Sequence, residues 1–162
     1  MFAIVALLLA TAFPSSSRTA WMRPESFRLT IGMQRAEAVR RLTEDGWKPA
    51  KGDHENQLIV DYAGNKSLTL EFQRERLTSI RFELFVMLPE IGGAFDEEKT
   101  FLKNTFGDPK PVKSKALVIY DAALPNIMVV QTKDQAKGLG VLAVRYFEVY
   151  PSRSEGSGGH HP

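Results

Sequence analysis

The chain has 162 residues, a formal net charge of +2 and no cysteine. The lack of cysteine excludes disulfides, thiolate metal sites, cysteine nucleophiles and lipidation on cysteine. The near balance of basic and acidic residues differs from the concentrated basic field that is typical of nucleic-acid binders, so we expect no nucleic-acid partner. The composition, 43% hydrophobic and 25% charged, is that of a globular protein long enough to bury a core.

The chain begins with a short apolar run, residues 2–13. A bilayer span needs about 20 apolar residues, whereas this length is typical of the hydrophobic stretch of a secretory signal. The motif Ala10-Thr11-Ala12 has the small-x-small form of a cleavage site, and Arg18-Thr19-Ala20 offers a poorer one. We therefore expect a signal peptide over 1–20, cleaved between Ala12 and Ala20 or kept as an anchor, and a periplasmic or secreted protein. The alternative is a buried N-terminal strand or helix.

Helical and strand periodicities then alternate in a regular order. The first segment, over 13–26, is predicted to be a linker in which the apolar Trp21 and Met22 tuck against the domain. An apolar stripe at Ala36, Val39 and Leu42 then predicts a helix over 34–45, which Gly46 ends. Period-two alternation predicts three strands that complete a first unit over 27–84. The predicted strand ranges are 57–62, 67–73 and 77–84.

A second unit repeats the same order. A crossover over 85–94 leads to a helix with Asp96 as its N-cap, Glu97 and Glu98 in its first turn and Gly107 at its end. Three strands near 116–121, 127–132 and 139–149 complete a unit over 95–150. The sequence thus predicts an α+β fold of two tandem αβββ units, with an antiparallel sheet and the helices on one face. The glycine-rich tail over 151–162 is expected to be disordered.

Three segments carry a family resemblance. The stretch LTIGMQRAEAV, Leu29 to Val39, resembles the helix-opening signature of the SmpA/OmlA (BamE-like) envelope domains, in which Gly-Met precedes an apolar helix stripe. The hairpins that end in Arg76-Leu77-Thr78-Ser79-Ile80 are similar to that family, and Phe106-Gly107-Asp108-Pro109 is a related helix ending. A doubled unit of this kind resembles the β-lactamase inhibitor protein architecture. The resemblance implies a noncatalytic binding module of the bacterial envelope.

The residue patterns that usually carry chemistry are weak in this chain. Asp53, His54 and Glu55 bear metal-ligating atoms, but successive residues point in different directions, and the segment is better interpreted as a polar loop. Gly138-Leu139-Gly140 enters a predicted strand without a helix behind it, so it lacks the context of a phosphate-binding loop. We therefore predict no catalytic residue, no metal site and no cofactor.

The two units differ in the polarity of their strands. The outward positions of the first unit are polar, as at Thr69 and Glu71, whereas the strands of the second unit are apolar on both sides. Strands that are apolar on both faces are covered on both faces. The cover is either the Trp21 segment or the crossover over 85–91, or else a partner protein or a second copy. In the latter case we predict that part of the set Val118, Tyr120, Met128 and Val130 forms a partner-facing patch.

The leading hypothesis from the sequence is a noncatalytic protein-binding or assembly module of the cell envelope or secreted space. The first alternative is a structural homodimer that uses the apolar sheet face of the second unit as its interface. The second alternative is a hydrolase of unknown type.

Overall fold

The computed structural model describes residues 17–110, 117–120 and 126–148. The apolar run predicted as a signal and the predicted C-terminal tail lie outside the described residues. Within those residues the protein is α+β, with two α-helices and an antiparallel sheet. This part of the fold prediction is confirmed.

Two α-helices, one 3₁₀ helix and seven strands follow one another along the described chain. In order they are a 3₁₀ helix (Pro24–Phe27), α1 (Arg35–Glu44), β1 (Ala50–Lys51), β2 (Gln57–Asp61), β3 (Lys66–Gln73), β4 (Arg76–Met87), α2 (Leu88–Phe106), β5 (Leu117–Tyr120), β6 (Asn126–Asp134) and β7 (Leu139–Phe147). The spatial order in the sheet is β1-β2-β3-β4-β7-β6-β5, and all neighbouring strands are antiparallel. The short strand β1 at one edge was not predicted from the sequence.

The hairpin between β3 and β4 shows how local sequence sets the register. Its two loop residues, Arg74 and Glu75, both have left-handed φ angles of 48° and 63°. Two residues of this conformation match the twist of the flanking strands and give a tight hairpin. The register shifts once, at Glu71/Phe72, and the Thr78 hydroxyl donates a hydrogen bond of 3.1 Å to the Glu71 carbonyl.

One face of the sheet, which we call the covered face, carries most of the core. Its buried residues hold directly paired positions on neighbouring strands, as at Leu70 and Ile80 or at Phe82 and Val144. Helix α2 packs on β6 and β7. Its Ile91 lies so close to Gly140 that a Cβ atom on the glycine would be 2.7 Å from the Ile91 Cβ. We call the opposite side of the sheet the open face.

The second cover of this face is the segment of residues 17–31, which we call the strap. The ring of Trp21 stacks on Tyr62 at 5.3 Å and meets Phe82 edge-on at 5.6 Å. The ring centroid of Phe27 lies 5.7 Å from that of Phe82, and Met22 is fully buried. The expectation that Trp21 and Met22 pack against the domain is therefore confirmed, and from Ser17 onward the segment predicted as a linker is part of the fold.

A buried ion pair joins the strap to α2. The guanidinium of Arg23 donates two hydrogen bonds to the Glu98 carboxylate, at 2.8 and 2.9 Å, and Glu98 has no exposed surface. Phe101 lies beneath the guanidinium, with 3.7 Å between the Arg23 Cζ and the ring centroid. The Tyr146 hydroxyl of β7 donates to the Met22 carbonyl at 3.1 Å, so the strap is also bonded to the sheet.

The predicted start of the second helix is wrong. Helix α2 begins at Leu88, directly after β4, so the predicted crossover over 85–94 does not exist and Glu97 and Glu98 are mid-helix residues. Pro89 stands in the first turn, where a missing N–H costs nothing. The buried stripe of α2 spans the two glycines at 92 and 93, so tertiary packing outweighs their low helix propensity. Its members are Ile91, Ala94, Phe95, Glu98 and Leu102.

The buried carboxyl of Glu98 predicts a specific pH dependence. Burial raises its pKa above the ordinary value, although the hydrogen bonds from Arg23 act in the opposite direction. Between the unfolded and the raised folded pKa, the folded state binds more protons, so this group adds stability as the pH falls. We expect the melting temperature of the wild type to rise relative to that of Glu98→Gln as the pH is lowered from neutral towards the ordinary pKa of a glutamate. A constant or shrinking difference in thermal melts would contradict this.

Candidate functional site

The open face has an apolar region that continues across three neighbouring strands. Phe85 and Met87, at the end of β4, expose 38% and 57% of their surface. Phe85 is paired with Val141 of β7, and Ala143 of β7 is paired with Val130 of β6. We call this region the apolar patch. It consists of Phe85, Met87, Met128, Val130, Val141 and Ala143.

The polar part of the open face lies beside the apolar patch. Arg145 of β7 donates to Glu71 of β3 at 2.6 Å and to the Ser79 hydroxyl of β4 at 2.7 Å, so its side chain is fixed across the sheet. Glu83 of β4 accepts a hydrogen bond of 3.1 Å from Ser67 of β3. The charged groups of this region are thus held in place by neighbouring strands.

Two small concavities meet at Arg145. The first has a volume of about 210 Å³ and lies on the apolar patch, with Arg81, Glu83 and Thr132 at its rim. The second has a volume of about 320 Å³, and His54 and Gln57 contribute to its wall. Sites for drug-sized ligands usually fall between about 300 and 1,000 Å³. The first concavity is smaller than that and has the scale of one large side chain.

Two of the four predicted partner-facing residues belong to the apolar patch. Met128 and Val130 lie on the open face and pair with Ile119 and Leu117 of β5. Val118 and Tyr120 pair with Val129 and Ile127 in the backbone register of β5 and β6. The partner-facing patch stays a prediction. Alternation within one strand does not fix which residues of two strands meet, because a register shift of one residue exchanges the faces.

The sequence analysis missed Phe85 and Met87. Both were assigned to the crossover, because Pro89 and the following glycines marked that region as a break. In the structure β4 runs for 12 residues and its alternation continues through Glu83, Phe85 and Met87. That continued alternation is the sequence signal that could have identified them.

The residues that could carry other chemistry are dispersed. His54 lies in the loop before β2 and faces the second concavity. Gly138 is part of the turn between β6 and β7. Among the residues that the structure describes, no group of three His, Asp or Glu could hold a metal ion. In the same part of the chain, neither α-helix combines the length and the apolar character that crossing a bilayer requires.

Comparison with known proteins gives no relative. No protein-family model, curated protein or solved structure matches the chain. The resemblance to the SmpA/OmlA (BamE-like) domains stays a prediction.

Proposed function

We propose that this protein is a noncatalytic protein-binding or assembly module of the bacterial cell envelope or secreted space, and that it binds its partner through the open face. The observation that carries the proposal is the apolar patch, in which Phe85 and Met87 are 38% and 57% exposed. Fully burying a side chain of this kind gains roughly 1.5–3 kcal/mol. Contiguous apolar surface on a monomer usually marks an interaction site.

Cross-linking from defined positions tests this proposal. A photoreactive residue at Phe85 should give discrete adducts with a partner protein in envelope preparations, and Val130→Asp should abolish them. The matched control is the same residue at Lys48, which is exposed next to α1. Identical adducts from both positions, or none from position 85, would contradict the proposal. An adduct of twice the chain's mass would support the homodimer.

The proposed compartment depends on the leader. We place the cleavage site after Ala12, because residues just beyond it contribute to the fold. Thr19 is fully buried, and its hydroxyl and backbone N–H each donate to Glu97 at 3.3 Å. Ser17 also donates to Glu97. Cleavage after Ala20 would remove all of these contacts.

We predict that the mature protein from the producing cell begins at Phe13 and is found in the periplasm or the medium. N-terminal sequencing of each fraction gives the answer. An intact Met1 in the cytoplasmic fraction would be evidence against export, and a start at Trp21 would be evidence against the assigned site.

The tandem arrangement of two αβββ units, with both helices on one face, is part of the same proposal. Helix α1 precedes β2, β3 and β4, and helix α2 precedes β5, β6 and β7. The spatial order β2-β3-β4-β7-β6-β5 is what two such units joined at β4 and β7 would give. Gly46 and Gly107 follow the two helices with similar φ angles of 84° and 86°. A doubled unit is also what the resemblance to the β-lactamase inhibitor protein architecture implies.

A further inference from the structure

Arg81, at the border between the apolar patch and the polar part of the open face, has one buried donor without a hydrogen-bond partner, its Nε. The Glu83 Oε1 atom pairs with that Nε at 3.7 Å, which is beyond hydrogen-bonding distance. The Arg81 side chain is 39% exposed, so it can be reached from solvent. A guanidinium carries five N–H donors in a planar fork that matches a carboxylate.

The ion pair that Arg81 makes is longer than that of its neighbour Arg145. Arg145 is the direct cross-strand partner of Arg81, and like charges in this position destabilise a sheet. Arg145 pairs with Glu71 at 2.6 Å, whereas Arg81 pairs with Glu83 at 3.7 Å. The Glu83 carboxylate also accepts a hydrogen bond of 3.1 Å from Ser67. Of the two arginines, Arg81 therefore has the weaker contact with its counter-ion.

The surface next to Arg81 is apolar. The concavity of about 210 Å³ that it lines has Met128, Val130, Val141 and Ala143 along its wall. A ligand that filled this space with an aliphatic or aromatic group would place its next residue over the guanidinium. A ligand suited to this surface would therefore carry a bulky apolar group next to an anion that accepts hydrogen bonds.

We infer that the open face receives a peptide segment of a protein partner in which an Asp or Glu stands beside a bulky apolar residue, and that Arg81 binds its carboxylate. This inference rests on the proposed function, since it names the chemistry of the partner at the same surface. Arg81 is the residue that determines specificity, and the apolar patch supplies contact area. A charge-assisted, bidentate pair gives orientation as well as free energy.

Peptide selection on the full-length chain tests the inference without knowledge of the partner. The probe is a display library of random peptides, followed by binding titrations of the selected peptides. We expect the selected peptides to share an Asp or Glu next to a bulky apolar residue. Replacing that acid by its amide, Asn or Gln, should weaken binding about tenfold or more. Arg81→Gln should weaken the acidic peptide by a similar factor and leave the amide peptide unchanged. Arg81→Lys should fall between, because it keeps the charge and loses the fork.

The other outcomes are decisive as well. Peptides that need Val130 but have no acid, or that bind Arg81→Gln equally well, would overturn this inference and leave the proposed function standing. If Val130→Asp weakened the binding of none of the selected peptides, the result would contradict both this inference and the proposed function. A concentration-dependent dimer in sedimentation that Val130→Asp dissociates would overturn the inference in favour of a second copy. Lys48→Gln serves as the control for a changed surface charge, and thermal melts confirm that each variant is folded.

Discussion

Replacing Arg23 with methionine is expected to destabilise the protein by about 3–5 kcal/mol, because the Glu98 carboxylate would remain buried without its cation. Glu98 has no exposed surface and receives both of its ionic hydrogen bonds from Arg23. Loss of the guanidinium also removes the contact with Phe101. The measurement is the free energy of unfolding from denaturant titration near neutral pH.

Two further variants show whether the loss of stability comes from leaving a buried charge unpaired. Removing both partners, with Arg23→Met and Glu98→Leu together, should recover most of the loss, since no buried charge then remains. The matched surface variant is Arg28→Met, which breaks a pair of 2.7 Å with Asp45 whose side chains are 48% and 34% exposed. That change should cost far less than Arg23→Met, because solvent screens the exposed pair. Equal losses for Arg23→Met and Arg28→Met would show that the strap is not anchored by this pair.

The second large effect is expected at Phe82. Phe82→Ala should cost about 3–5 kcal/mol, because it opens a cavity at the centre of the covered face. The ring is fully buried and lies against Trp21, Phe27 and Tyr146, so strap and sheet lose contacts together. Denaturant unfolding of the wild type and the variant gives the difference directly.

Phe85→Ala is the matched control on the same strand. Phe85 points to the open face and is 38% exposed, so its loss should cost less than about 1 kcal/mol. The same variant should reduce partner capture through the apolar patch. A loss of several kcal/mol at Phe85, with capture unchanged, would make the open face part of the core and remove the basis of the proposed function.

The sequence predicts what depends on neighbouring residues along the chain. Alternation in β3 and β4 correctly separates Leu70 and Ile80 from Glu71 and Arg81. The hairpin at Arg74 and Glu75 is also local. The pairing of β4 with β7 cannot be obtained in this way, because it joins residues more than 50 positions apart in sequence, such as Phe82 and Val144.

The candidate site was predictable only in part, for the same reason. Met128 and Val130 follow from alternation within β6. The role of Arg81 depends on its position opposite Arg145, which is a property of the β4–β7 register. Helix α2 shows the second limit: the glycines at 92 and 93 have low helix propensity, and the buried stripe from Ile91 to Leu102 explains why the helix includes them.

The strap has a consequence for when the protein folds. Its bonds join residues separated by 75 positions, between Arg23 and Glu98, and by 124 positions, between Met22 and Tyr146. Contacts so distant in sequence make folding slow, because the chain loses the entropy of closing long loops before the stabilising contacts form. The strap therefore cannot complete its bonds until Tyr146 of β7 has been synthesised. For a chain proposed to leave the cytoplasm, a fold that is completed only after β7 has been made favours passage of the polypeptide across a membrane before the strap is in place.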